Sequence, residues 1–260
     1  MPDAESSIWY LRISILLQDL FVLFLPGFLV FKFNTNRPAY MLGFKKDRNM
    51  ANILTFAVLA YIVALPATSI MAQWNNSVSF PESLSGLEAI FRSMEESARN
   101  VTDRFLSGTS FGDVTINIII VALAAALVEE VFFRGALQQL LVRWIGHPHV
   151  AVWLTAFIFS AIHLQFFGFI PRLFMGAILG YMFYYTKNLW VPILYHFVNN
   201  AAVVIMNLYW GDSQMIKNME EGPLEWYSYI ILIISLLFTY LLFSSFAKNR
   251  GYGKSNTIDV

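Results

Sequence analysis

Seven apolar runs, near residues 11–34, 51–73, 114–140, 150–167, 170–187, 189–210 and 226–247, divide the chain. A helix needs about 20 residues, at a rise of about 1.5 Å each, to cross ~30 Å of hydrocarbon. The runs are suited to that length, and polar segments separate them. The expected fold is all-α: one membrane-embedded domain over 1–260, a polytopic helix bundle of about seven transmembrane helices, with an eighth allowed. Composition agrees, since 57% of the 260 residues are hydrophobic, 13% are charged and mean hydropathy is +0.57, outside the usual balance of soluble domains. Trp9, Tyr10, Trp74, Trp144, Trp190, Trp210, Trp226 and Tyr227 sit near expected span ends, as interfacial aromatic belts require. The first run is too long for a removable signal peptide and lacks a small-residue cleavage site.

Charge sets the expected topology. Lys32, Arg37, Lys45, Lys46 and Arg48 oppose Asp47 alone in 32–50, which makes that loop cytoplasmic by the positive-inside rule and puts the N-terminus outside. Alternation then places the net acidic segments 74–113 and 211–225 outside, and Arg143, Lys187, Lys248, Arg250 and Lys254 inside with the C-terminus. The setting expected is the plasma membrane of a prokaryote. Net charge is zero and the basic residues are dispersed over loops, so no nucleic-acid partner is expected.

Within 81–106, Leu84, Leu87, Phe91, Met94, Ala98, Val101 and Phe105 recur at alternating spacings of three and four, with Glu88, Arg92, Glu95, Glu96, Arg99 and Asp103 between them. This periodicity predicts an external amphipathic helix. Such a helix can lie on the membrane or the bundle, cover a substrate, or pair in a coiled coil that makes the protein a homodimer.

The stretch AAALVEEVFFRGALQQL, residues 124–140, places two glutamates and an arginine in an apolar run. A charge at the bilayer centre costs about 2.5–3.5 kcal/mol on insertion scales, so intramembrane charges are functional candidates. At about 100° per residue, Arg134 lies about 40° from Glu130 and about 140° from Glu129. Glu130 and Arg134 are therefore the natural ion pair, and Glu129 stays ionisable on another face.

The next runs supply polar partners. FSAIHLQFF carries Phe159 and His163 four apart, and YHFVNNAAV carries His196 and Asn200 four apart, each pair sharing one helix face. The third and fourth spans form an antiparallel hairpin near Gly146, with Glu129 17 residues before it and His163 17 after it, so the two are expected at one depth. His147 and His149 flank Pro148 in the turn and are read as loop residues, with metal contact conceivable.

A glutamate with a neighbouring histidine can take a proton from water and make it nucleophilic, while a histidine and an asparagine can stabilise an oxyanion. Amide hydrolysis fits this set. The chain has no cysteine, no HExxH and no GxSxG, so thiolate, zincin and serine-elbow chemistries lack their residues.

EExxxR at Glu129, Glu130 and Arg134, FxxxH at Phe159 and His163, and HxxxN at His196 and Asn200 resemble, in order, the three motifs of the CPBP family, which comprises CAAX prenyl endopeptidases and bacteriocin-processing or immunity proteins of the Abi group. The resemblance covers about residues 114–205, the expected catalytic core. It implies an intramembrane glutamic endopeptidase acting on membrane-associated or lipidated substrates. Glu129 and His163 would serve the water, His196 and Asn200 the oxyanion, and Glu130 with Arg134 the supporting pair. The family has also been described as metal-dependent, and Glu129, His163 and His196 could ligate zinc with an open position. The cofactor-free reading is preferred, because Asn200 is a better oxyanion donor than zinc ligand. The competing class is a non-catalytic polytopic transporter or immunity protein, with the same cluster relaying protons or binding a partner. Transporters often show paired repeats, and none is evident here.

Overall fold

The computed structural model describes residues 4–34, 43–45, 47, 49–210, 213 and 222–250; Arg37, Lys46, Arg48 and Lys254, used above for topology, lie outside them. The described residues form eight helical stretches and no strand. They are α1 (4–34), α2 (Met50–Asn76), α3 (Ser85–Leu106), α4 (Phe111–Ile145), α5 (Pro148–Ala161), α6 (Phe169–Thr186), α7 (Trp190–Trp210) and α8 (Trp226–Asn249). All but α3 and α5 are long and apolar enough to cross a membrane. The aromatic residues at the expected span ends are exposed, Trp144, Trp226 and Tyr10 most of all. The chain is a multi-pass integral membrane protein built as a helix bundle.

Small residues let the central helices approach closely, as membrane packing requires. Ala57, Ala60, Ala64 and Ala67 form a fully buried stripe on α2, and the first three cluster with Ile178, Leu179 and Met182 of α6 and Val191 and Tyr195 of α7. Pro66 has no N–H to give to its own helix. Ser235 of α8 bridges the next step of the helix ladder, accepting from the Ala67 N–H and donating to the Val63 carbonyl. Phe56 stacks on Phe246 with ring centroids 3.9 Å apart, fixing α8 further along α2.

Two helices are locally widened to π geometry. In α1 the wide turn Asp19–Phe24 precedes Pro26, whose missing N–H leaves a carbonyl one turn earlier without its helical donor. In α4 the wide turns Ile118–Ala124 and Val131–Gln138 flank the segment Ala125–Glu130. Arg12 fastens α1 to α4: it is buried, 3.1 Å from Asp113 Oδ1 and 3.2 Å from Asn117 Oδ1. Asn117 in turn donates to the Phe105 carbonyl at the end of α3.

The fourth apolar run departs from expectation. A single span over 150–167 was expected, but α5 ends at Ala161, and at about 1.5 Å per residue its 14 residues cover about 21 Å, less than the hydrocarbon. The chain then turns through Leu164, at φ +55°, into a 3-10 turn Phe166–Gly168 before α6 begins. Protein groups satisfy this irregular backbone, a condition for it at membrane depth. Asn75 of α2 donates to the Phe166 carbonyl and accepts from the Ile170 N–H, and Ser160 donates to the Phe169 carbonyl.

The periodicity over 84–105 is a helix as expected, α3. Its apolar stripe has divided contacts. Phe105 and Leu106 are buried with Ile120 and Val204, Phe91 stacks on Phe166 at 5.1 Å, and Leu84, Leu87 and Val101 remain exposed. Arg92 holds α3 over the 162–168 turn, with its guanidinium 4.2 Å from the Phe167 ring centre. Glu88 accepts from the Phe80 N–H and from Arg92, and these bonds hold its carboxyl below the usual carboxylate range.

Candidate active site

The hairpin joining α4 to α5 turns at Gly146, as expected; its φ of +71° ends α4 in the left-handed region that glycine adopts without strain. Pro148 opens α5, so His149 falls in that helix's first turn rather than in a loop, with Nδ1 3.1 Å from the Tyr181 hydroxyl. His147 stays outside α5 as its N-cap.

Glu130 and Arg134 are both fully buried and paired, Oε1 to Nη1 at 2.8 Å. The i, i+4 spacing produces this contact even though Arg134 lies within the wide turn. Arg134 Nη2 also donates to the Gly176 carbonyl at 3.0 Å, and one turn on Gln138 Nε2 donates to the Gly180 carbonyl at 3.0 Å. Two side chains four apart on α4 thus read two carbonyls four apart on α6. The glycines also set the spacing of α5: a Cβ at Gly176 would come 3.1 Å from the Ala156 Cα, and one at Gly180 would come 2.9 Å from Val152 Cγ1. Gln138, Gly176 and Gly180 had no place in the expected site. The GAILG spacing over 176–180 was the available signal, because small residues four apart mark close membrane packing.

His196 on α7 completes the centre. Its Nδ1 is 2.9 Å from Glu130 Oε1 and its Nε2 is 3.9 Å from Glu129 Oε2. A carboxylate only accepts, so Nδ1 carries a proton and donates to Glu130, and the ring turns Nε2 toward Glu129. One glutamate oxygen therefore orients both the arginine and the histidine. Glu129 keeps 16% of its side chain accessible, against none for Glu130, and its Oε2 is buried without a hydrogen-bond partner. Of the two carboxylates, Glu129 is the one with a reachable face.

His163 is not helical. It occupies the turn just past α5, where its Nδ1 donates to the Phe159 carbonyl at 2.7 Å, so in the neutral ring its Nε2 bears the lone pair. The expected equality of depth with Glu129 assumed straight α-helices on both sides of Gly146, whereas a wide turn intervenes on one side and the helix stops at Ala161 on the other. The FxxxH spacing survives as this side-chain bond to its own chain. Phe159 lies between the histidines, with centroids 5.1 Å from His163 and 6.0 Å from His196, and the Arg134 guanidinium lies 5.0 Å from its ring centre. Asn200 Nδ2 donates to the Val121 carbonyl at 3.2 Å, within the first wide turn of α4, and its Oδ1 accepts from Asn199. Its second amide proton stays available. Among the described residues, no three His, Asp or Glu side chains gather closely enough to share one metal ion.

A buried Glu–Arg–His set on two helices of a membrane bundle, with a second glutamate at its reachable edge, defines the class: an intramembrane carboxylate–histidine centre. Residues 111–202 match the family described as type II CAAX prenyl endopeptidase Rce1-like, so the likeness to the CPBP and CAAX protease family read from the three motifs is borne out over this core. The chain is also 34% identical over 90 residues to the uncharacterized protein YpbD of Bacillus subtilis (strain 168), a stretch covering 33% of this chain and 43% of that relative. No solved structure matches.

Proposed function

We propose that the chain is an intramembrane endopeptidase that hydrolyses peptide bonds of membrane-associated or lipidated substrates. The observation that carries this reading is the partition of the two glutamates: Glu130, with no accessible surface, gives one oxygen to both Arg134 and His196, while Glu129 keeps 16% of its side chain accessible beside His196 Nε2. The family likeness over 111–202 supports it independently.

In this reading Glu129 takes a proton from water as the water oxygen bonds to the scissile carbonyl carbon. His163, with its Nε2 lone pair, accepts the water's other hydrogen bond. Asn200 donates its second amide proton to the oxyanion. His196, held at Nδ1 by Glu130, donates to the same oxyanion from Nε2 when that nitrogen also carries a proton. Collapse of the tetrahedral intermediate breaks the C–N bond, and the proton held by Glu129 passes to the leaving amine. Comparison of membrane proteomes from cells bearing the intact chain and Glu129→Gln is expected to reveal substrates that persist only in the variant. A reconstituted preparation that moves protons or solute and leaves every membrane peptide intact would refute the reading.

The reaction is proposed to run without a metal. Cleavage should survive exhaustive chelation, with no stoichiometric zinc in the active protein by elemental analysis. Loss of cleavage to chelator with recovery specifically on zinc would make Glu129, His163 and His196 ligands instead.

The proposed topology puts residues 32–50 and 141–149 in the cytoplasm and α3 outside, in a prokaryotic plasma membrane. The chain contains no cysteine, so single cysteines test this directly. Lys45→Cys should react with an impermeant maleimide only after permeabilisation, and Ser93→Cys in intact cells; the reverse pattern would invert the topology.

A further inference from the structure

Arg172 opens the first turns of α6, one helical repeat before Gly176, whose carbonyl receives Arg134. Its Nη2 donates to Gln165 Oε1 at 2.8 Å, and Gln165 Nε2 donates to Glu95 Oε1 of α3 at 3.2 Å. Gln165 thus links an arginine and a glutamate without neutralising either completely: Arg172 Nη1 and Glu95 Oε2 are both buried without a hydrogen-bond partner. The guanidinium lies against Gly168, where a Cβ would come 2.8 Å from Nη2. It is within electrostatic range of Glu95 first, and then of Glu129 and His163. The endopeptidase chemistry proposed above gives this cation no task, yet it stands one turn of α6 from the carbonyl that holds Arg134, with a donor to spare.

We propose that Arg172 is a specificity-determining residue that receives a carboxylate of the peptide substrate beside the Glu129–His196 centre. The proposal rests on the endopeptidase reading and names the chemistry by which that site selects its substrate. A guanidinium offers paired, planar N–H donors matched to a carboxylate. Gln165 occupies one of them and fixes the side chain, and Gly168 leaves room for the group to lie flat against the backbone. The carboxylate can be the free C-terminus of a peptide or an Asp or Glu side chain near the scissile bond; both present the same two oxygens.

The test uses full-length protein in detergent and three fluorescent, acylated apolar peptides: one ending in a free carboxylate, its C-terminal amide, and the amide with one Asp inserted. The free acid is expected to bind about 10- to 100-fold more tightly than the amide, the range for a hydrogen bond to a charged group. Recovery of affinity by the Asp peptide assigns the site to side-chain carboxylates as well, and no recovery assigns it to the C-terminus. Arg172→Gln should abolish the preference and Arg172→Lys should keep part of it. Gly168→Ala, which retains the charge but displaces the flexible guanidinium, should weaken it. For peptides that are cleaved, Arg172→Gln should raise KM with little change in kcat. Equal or absent binding of acid and amide to the intact chain, or a preference that persists in Arg172→Gln, overturns the proposal and leaves Arg172 a strut between α3 and α6. Peptides that bind with the expected preference but stay intact would refute the endopeptidase reading while the carboxylate site stands.

Discussion

Glu129→Gln is expected to abolish peptide cleavage while the protein inserts, accumulates and melts as the native chain does. The substitution keeps size and polarity and removes the base. General-base catalysis contributes about 10²–10⁴-fold, so residual cleavage should be at most about one hundredth of normal. Stability should change by less than about 1 kcal/mol, because Glu129 holds up no other charge: its Oε2 has no hydrogen-bond partner and its contact with His196 is 3.9 Å. The measurement is a pair, cleavage of a substrate identified by the proteome comparison and a thermal melt in the same detergent. Retained cleavage would move the base to another group.

The architecture was legible because its determinants are local. Apolar runs of spanning length gave the helices, three-four alternation gave α3, and a glycine at 146 gave the hairpin. Glu130 with Arg134 followed from one turn of helix, and a bond between residues four apart withstands the wide turn around it. What sequence counting could not supply was depth. The stop at Ala161 depends on Asn75 arriving from α2 and on Ser160 reaching across the turn to satisfy freed backbone groups, and the first wide turn of α4 receives Asn200 from α7 at the Val121 carbonyl. For that reason His163 moved off its helix, and Glu129 meets His196 in the contact that counting assigned to His163. Arg12 escaped notice for a similar cause: its partners Asp113 and Asn117 lie about a hundred residues away. Arg172 stands in FIPRLF at the start of α6, but no spacing rule connects it to Gln165 and Glu95.

The largest stability effect is expected at Glu130. Glu130→Ala removes the acceptor of both Arg134 Nη1 and His196 Nδ1, leaving a guanidinium with no exposed surface uncompensated in a medium that solvates it poorly. Breaking a buried pair from one side costs about 3–5 kcal/mol in soluble cores, and at about 2–4 °C per kcal/mol for a chain of this size the melting temperature should fall by roughly 6–20 °C. Cleavage should fall too, since His196 loses the oxygen that holds its ring. The double variant Glu130→Ala with Arg134→Ala should melt above Glu130→Ala, because no unpaired charge remains, although the Gly176 carbonyl loses its second donor and a void opens beside Phe159. The two losses are therefore coupled and not additive. Cleavage should not return in the double variant, as His196 remains unheld. The comparison with Glu129→Gln decides the division of labour: if that variant melts as low as Glu130→Ala, or if Glu130→Ala melts normally and loses only cleavage, the roles of the two glutamates are exchanged.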